Sequence, residues 1–517
     1  MHTVPLLHDH LEGAARRLPD KVALVCGGAR YTYGELDRRA NGLAHALVRR
    51  GVERGDRVIV FGENSVHTVV AFWGVLKANA VVSVVNPLTK ADKLLYLLDD
   101  CRARALITEA HLEPAYASAC ARARHLGAVL VAGGAPADRL AALPGGADLD
   151  AAVSPGPLDH PPPRRAIDCD LASIIYTSGS TGEPKGVMLT HRNMLTASAS
   201  ITALLDNAPD DVILSVLPLS FNYGLYQMIM AFMIGGRLVL ERSLTYPVPV
   251  LGRMVSEGVT GFPGVPTIFS MLMELKSVRT YDFSRVRYVT NTAAPLTERH
   301  VAALREIFPA ARIFSMYGLT ECKRCTYLPP EDLDRKPGSV GIAIPNTELW
   351  LVGDDGRRLG PGETGQLVIR GGTVMRGYWE KPEATAAMLR PGRFPGEQVL
   401  YTGDLCRLDE DGYLYFVSRM DDIIKSRGEK VPPKEVELAL MNVRGVKEAA
   451  VIGVPDAILG EAVKAFVALE DGAALTAQDL QRACQERLES FMVPKEIVLV
   501  AALPRTTTGK ITKQGLS

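Results

Sequence analysis

The sequence predicts an α/β fold. A large N-terminal domain of α/β layers would carry a β-rich subdomain, followed by a small α+β C-terminal domain. Three observations predict it. At 517 residues the chain is too long for one hydrophobic core, so two or more domains are expected. Near the N-terminus, amphipathic helices alternate with short, continuously apolar runs, the pattern of parallel strands covered by helices. Towards the C-terminus, short apolar stretches separated by glycine turns give way to a further alternation of strand and helix.

Taken in order, Tyr31 to Leu36 leads into an amphipathic helix through about Arg50, with Leu36, Ala40, Leu43 and Leu47 on one face and Gly51 ending it. Arg57–Phe61 reads as a strand, 66–78 as a helix and Val81–Val85 as a second buried strand. Residues 132–167, rich in Ala, Gly, Pro, Asp and Arg and containing Pro161 to Pro163, read as a surface connection. Leu171 to Ile175 is a buried strand, and 187–199 begins a new element. Gly362 to Arg370 and then Gly377, Tyr378 and Trp379 read as the strand-rich subdomain. In the small domain 449–454 and 462–469 read as strands and 477–488 as a helix.

Composition excludes several classes. The 58 basic and 58 acidic residues cancel, so no nucleic-acid partner is indicated. The N-terminal MHTVPLLHDH lacks a basic segment followed by an apolar core, so no signal peptide is expected. The most apolar stretch, 223–240, is interrupted by Gly235, Gly236 and Arg237 and is too short to span a bilayer. A cytoplasmic protein is expected. Of eight scattered cysteines only Cys322 and Cys325 form a C-x-x-C pair, and no second pair completes a zinc site.

The stretch that organises the chain is Tyr176 to Val187, YTSGSTGEPKGV, with three glycines, five hydroxyl side chains and Lys185. After a buried strand, such a loop suits an anion: glycines let the backbone approach, N–H groups and hydroxyls donate, and the lysine adds charge. It is not the Walker loop, since G-x-x-x-x-G-K-[ST] does not fit, and no early strand is followed by the G-x-G-x-x-G of a dinucleotide-binding dehydrogenase.

This string resembles the signature loop of the adenylate-forming superfamily: acyl-CoA synthetases, firefly luciferase and peptide-synthetase adenylation domains. The further motifs of that superfamily follow in order along essentially the full chain. Thr177, Ser178, Gly179, Ser180, Thr181, Gly182 and Lys185 are implied to bind the phosphates of ATP. Leu214 to Leu225 resembles the segment walling the acyl pocket, which implies that Phe221 gates the carboxylate site and that Asn222, Tyr223 and Leu225 line it. Amino-acid-activating relatives place an aspartate at the position of Asn222, and an uncharged amide cannot offset a buried ammonium, which argues against an α-amino acid. Leu219 and Met228 add to an apolar lining that suits an aryl, alicyclic or medium-chain acid.

In 288–296, YVTNTAAPL, relatives usually have two glycines where Thr292 and Ala293 stand, so this floor of the pocket should be narrower. Ala293 and Ala294 would meet adenine, and Thr292 the acyl group. Ser315 to Glu321 resembles the next signature. It implies that Tyr317 stacks on adenine beside Gly318, Thr320 bonds the α-phosphate, and Glu321 holds Mg²⁺ together with Thr181. Asp404, in Tyr401-Thr-Gly-Asp404, and Arg419 would take the ribose hydroxyls. The 418–430 segment resembles the superfamily's domain junction, implying domains 1–420 and 421–517 with a hinge at Asp421, and Gly428 with Arg427 beside a CoA channel. Lys510, in PRTTTGKI, matches the catalytic lysine, delivered and withdrawn by a mobile C-terminal domain.

The resemblance implies an AMP-forming acyl-CoA ligase. An acid and ATP give acyl-AMP and pyrophosphate, then CoA gives the thioester, with ATP, Mg²⁺ and CoA as the required small molecules. Two alternatives stand beside it. One is a stand-alone adenylation enzyme that loads an acyl carrier protein in trans. The other is a non-catalytic homologue that binds nucleotide or acyl ligand; such a protein should have lost Lys510, Glu321 or Asp404, and all three are present.

Overall fold

The computed structural model describes residues 5–153, 160–178, 183–426, 429–456, 459–505, 511–513 and 515–517. Its contacts group into two units, Met1–Pro337 with Ala343–Glu348 and Arg370–Leu400, and Gly338–Ile342 with Leu349–Ile369 and Tyr401–Ser517. The α/β fold class predicted from the sequence is the one observed.

The first unit holds two large sheets. One runs, in spatial order, through Gly377–Tyr378, Pro184–Thr190, Leu171–Ser178, Val81–Val85, Arg57–Phe61, Ala103–Glu109, Ala128–Ala132 and Ala147–Asp148. Its central strands pair in parallel, Val58 opposite Val82 on one side and Ala105 on the other. Continuous apolar runs are needed because both faces are covered. Ile59, Phe61 and Val129 pack in one cluster with Leu94, Leu97 and Tyr116 of the neighbouring helices. The helix Tyr33–Arg49 starts at a capping box between Thr32 and Glu35, and its predicted apolar face is buried throughout.

The second sheet of this unit runs through Thr326–Leu328, Arg312–Tyr317, Tyr288–Asn291, Gly261–Gly264, Val212–Ser215, Arg237–Leu240, Val22–Cys26 and Ala29–Thr32. From Arg312–Tyr317 to Val22–Cys26 the neighbours are parallel. Three of these strands, ending at Ser215, Asn291 and Tyr317, therefore deliver their following loops to the same edge. In open parallel sheets ligands bind outside that carboxyl edge. The apolar stretch 223–240 divides into the helix Asn222–Ile234 and the strand Arg237–Leu240, with Gly235 left-handed (φ 74°) at the break. Among the described residues, no helix is long and apolar enough to cross a membrane.

Three expectations need correction. Residues 132–167 are not only a connection. They include the short helices Ala137–Ala141 and Leu149–Val153, and Val153 is buried. The element at 187–199 is two: the strand Pro184–Thr190, then a helix from His191 that is capped by Thr190. Gly377–Tyr378 does not belong to the strand-rich subdomain but adds an antiparallel edge strand to the first sheet, Tyr378 opposite Val187.

In the second unit, Gln398–Leu408 pairs antiparallel with Leu414–Arg419. Further on, Val446–Asp456 pairs antiparallel with Gly460–Leu469, and Glu496–Val500 joins Gly460–Leu469 in parallel. The helices Pro433–Met441 and Ala477–Gln485 place Val436, Leu440 and Leu480 in the same core as Val451 and Val463. The first of these, which opens on Pro433, was not read from the sequence. Proline is, however, well suited to a helix's first turn.

Candidate active site

The glycine-rich loop is the turn of a β-hairpin. Leu171–Ser178 and Pro184–Thr190 are antiparallel, with Thr177 opposite Lys185 and Ser178 opposite Pro184. The Thr177 hydroxyl donates to the Lys185 carbonyl at 3.4 Å, closing the base of the hairpin. Gly179, Ser180, Thr181 and Gly182 lie outside the described residues, as do Arg427, Gly428 and Lys510.

On the same edge of that sheet, Tyr378 links two motifs that are far apart in sequence. The Lys185 ammonium lies 5.7 Å from the centre of the Tyr378 ring, and the Tyr378 hydroxyl donates to Glu321 Oε1 at 2.7 Å. The main chain is tied as well, since Met375 N donates to the Glu321 carbonyl at 2.7 Å. A phenol orients a carboxylate without neutralising it. Among the described residues Glu321 has no cationic partner, so its charge stays available for a cation or for phosphate-bound metal. Sequence reasoning placed Tyr378 only in a strand-rich stretch and missed this role. Only the pairing of residue 378 with the loop hairpin reveals it.

Tyr317 ends its strand opposite Thr326, and Gly318 begins the loop that carries Thr320 and Glu321. Gly318 is required by close approach: a Cβ there would lie 2.2 Å from the Lys323 carbonyl oxygen and 2.6 Å from Arg324 Cα. Lys323 itself is left-handed (φ 60°), which turns the chain back over Gly318. Thr292, Ala293 and Ala294 follow the strand Tyr288–Asn291. Ala293 is left-handed at φ 77°, a conformation glycine would adopt without strain, and Asn291 Nδ2 donates to the Ala294 carbonyl at 2.8 Å.

Phe221 precedes the helix Asn222–Ile234 and meets Tyr223 edge-on, with ring centres 6.3 Å apart. The Tyr223 hydroxyl donates to the Thr290 carbonyl at 2.8 Å. Leu219, Leu225 and Met228 are buried in the apolar surroundings of this helix. The unforeseen feature is the pair behind Glu321. Lys323 and Arg324 are 5% and 2% exposed. Lys323 Nζ donates to the Asn222 carbonyl at 2.9 Å and lies 3.9 Å from the centre of the Tyr226 ring. The Arg324 guanidinium stands 4.5 Å from the centre of the Tyr223 ring, and its Nη1 meets the Met316 sulfur. Burial pushes the Lys323 ammonium well below the usual lysine range, and the adjacent guanidinium pushes it the same way. Two adjacent basic residues between Cys322 and Cys325 were the available signal. Both cysteines are buried, and neither is in a disulfide.

In the second unit, Asp404 is buried and lies opposite Arg419 in the antiparallel register, with Arg419 Nη1 3.0 Å from its Oδ1. The Thr402 hydroxyl accepts from Asp404 N at 3.1 Å. Arg419 Nε also reaches Asp421 at 3.3 Å. The two predicted ribose ligands are thus one ion pair held by strand register. Elsewhere, in the first unit, a cleft of about 830 Å³ is lined by residues including Cys26, Asn64, Glu109, His111 and Tyr246. It contains none of the predicted site residues.

The sequence model of the AMP-binding enzyme family matches residues 11–379, and that of the AMP-binding enzyme C-terminal domain matches residues 435–510. A feruloyl-CoA synthase of Amycolatopsis sp is 35% identical over 501 aligned positions, covering 96% of this chain and 96% of that protein. A long-chain-fatty-acid–CoA ligase of Salmonella typhimurium is 32% identical over 535 positions, covering 98% and 93%. The crystal structure of the anthranilate CoA ligase AuaEII in complex with anthranoyl-AMP superposes with a TM-score of 0.89 at 29% identity, covering 99% of this chain and 96% of that one. These likenesses run the length of both units, and they coincide with the motifs gathered at the carboxyl edge. The chain belongs to the AMP-binding enzyme family, in its branch of AMP-forming acyl-CoA ligases.

Proposed function

We propose that this enzyme activates a carboxylic acid with ATP to an acyl-adenylate and then transfers the acyl group to CoA. The observation that carries the reading is the chain Lys185–Tyr378–Glu321. Through the Tyr378 side chain it brings the base of the glycine-rich loop and the end of the Tyr317–Glu321 motif together.

In the first half-reaction the acid's carboxylate attacks the α-phosphorus and pyrophosphate leaves. No protein nucleophile is needed, so the protein's task is to position reactants and to offset developing negative charge. Lys185, Thr320 and Lys510 would do so, with the hydroxyls of Ser178, Ser180 and Thr181. Tyr317 and the backbone at Ala293 and Ala294 would hold adenine, and Asp404 with Arg419 the ribose. Glu321 offers a carboxylate oriented by a neutral donor, a donor set suited to Mg²⁺, which when bound offsets phosphate charge; Thr181 would be its second protein contact.

In the second half-reaction the CoA thiol attacks the acyl carbon and AMP leaves. We place a domain boundary after residue 420, with Asp421 as the hinge that withdraws Lys510 and brings Arg427 and Gly428 to a CoA channel. The gap between the two matched family regions, 379 to 435, supports that placement. The substrate reading is an apolar aryl, alicyclic or medium-chain acid. It rests on Phe221, Tyr223 and Leu225, on the absence of an acidic partner at Asn222, and on the feruloyl and anthranilate names of relatives. A cytoplasmic location accords with these small-molecule substrates.

Pyrophosphate release with Mg·ATP across a panel of carboxylic acids, with and without CoA, tests the proposal. One acid class should release pyrophosphate and yield acyl-CoA. Adenylate without acyl-CoA would shift the acceptor to a carrier protein, and no release with any acid would overturn the ligase reading. Lys510→Ala should abolish adenylate formation yet spare thioester formation from supplied acyl-AMP, while Asp421→Pro should do the reverse.

A further inference from the structure

Among the described residues, the buried Arg324 has no counter-ion. It is 2% exposed, its polar side-chain neighbour is the neutral Tyr223 hydroxyl, and its Nε and Nη2 make no hydrogen bond of ordinary geometry. Among the described residues no carboxylate lies within ion-pair distance of Arg324 or Lys323. What surrounds them is neutral: the Tyr223 and Tyr226 rings, the Met316 sulfur and the Asn222 carbonyl. A guanidinium does not give up its proton in proteins, so Arg324 stays charged there. An uncompensated buried charge is among the costliest arrangements a fold can keep. Asn222 Oδ1 and Asn291 Oδ1 are also buried without partners, one on the segment that walls the acyl pocket and the other at the strand end leading to Thr292.

We propose that the acid activated here carries, besides the reacting carboxylate, a second and distal carboxylate, and that Arg324 holds it. The inference rests on the ligase reading and deepens it: an apolar body ending in a second anion. The reacting carboxylate is a poor candidate for this partner, because a guanidinium clamped on it would hold back the lone pairs that must reach phosphorus. An α-ammonium is excluded as well, since the buried Arg324 guanidinium would repel it. Lys323 is a positioning residue. Its ammonium group is spent on the Asn222 carbonyl, and that bond fixes the start of the acyl-wall helix against the loop carrying Arg324.

The test uses matched pairs of acids in the pyrophosphate-release assay. Each pair is an aryl or straight-chain diacid and its distal monomethyl ester, over a range of lengths. The wild-type enzyme should favour one diacid over its monoester by at least about 100-fold in kcat/KM, because a site built for a polar group rejects the analogue that lacks it. Arg324→Met should bring that ratio to one or below, mainly through a raised KM for the diacid. Arg324→Lys should restore part of the preference. The proposal is overturned if the wild-type enzyme uses monoesters or unsubstituted acids as well as any diacid, or if Arg324→Met keeps the ratio. If that variant does not fold, the wild-type ratio decides alone. Turnover confined to monoacids sinks this proposal and leaves the ligase standing, whereas no release with any acid removes both.

Discussion

Lys77 and Arg324 are both buried cations of the first unit, and the fold treats them in opposite ways. Lys77 Nζ lies 2.7 Å from Asp37 Oδ1, 3.2 Å from Glu12 Oε1 and 2.7 Å from Asn41 Oδ1, so two carboxylates and an amide surround it. Arg324 has aromatic faces, a sulfur and two nitrogens that make no hydrogen bond of ordinary geometry. A cation buried to hold helices together brings its counter-ions with it. A cation buried without them is complete only when something else arrives. That contrast separates a structural charge from a recognition charge more reliably than burial alone.

The largest expected effect sharpens the contrast directly. Lys77→Met leaves Glu12 and Asp37 facing each other without a cation and should cost about 3 kcal/mol of stability. Arg324→Met orphans no carboxylate and should change stability by less than about 1 kcal/mol, or raise it. Urea unfolding of both variants measures this, and equal losses would break the distinction. Tyr378→Phe probes the intermediate case, a carboxylate held by a neutral donor. Loss of the bond to Glu321 should lower kcat of the adenylation half-reaction by about 10- to 100-fold, as removal of an orienting partner commonly does. Unfolding should shift by only about 1 kcal/mol. An unchanged kcat would mean that Glu321 does not need that orientation. The smallest effect concerns backbone strain at Ala293. Ala293→Gly should add about 1 kcal/mol of stability, because φ 77° costs a residue with a Cβ and not glycine. A thermal melt that fails to rise would show that the alanine side chain packs well enough to offset the strain.

Much of this was legible in the sequence because the determining forces were local. Leu36, Ala40, Leu43 and Leu47 repeat at helical spacing, and Arg57–Phe61 is apolar throughout, so element type followed from periodicity. The Gly-Ser-Thr loop and the Tyr317 to Glu321 motif drew attention through residue type, and both fall within the family match over residues 11–379. Tyr378 was not legible. Its importance depends on an edge strand pairing with a hairpin nearly two hundred residues earlier in the chain, and no local pattern encodes that. Arg324 was hidden for another reason: a basic pair usually lies on a solvated face, and only tertiary packing shows that this one does not. The 132–167 segment was misread because Ala-rich turns and short helices have nearly the same composition.

The Gly318 contact has a consequence for how this enzyme can diversify. The Lys323 carbonyl rests where any other side chain at 318 would begin, so the segment from Gly318 to Arg324 is a single closed turn. Glu321, bonded to the Tyr378 hydroxyl, and Arg324, set against the Tyr223 ring, are carried on that one turn. A lineage that lengthened or reshaped it to suit a new acid would disturb the catalytic carboxylate at the same time. Changes of substrate should therefore accumulate by exchange of side chains at fixed length, at 222, 292 and 324, and hardly ever by insertion here.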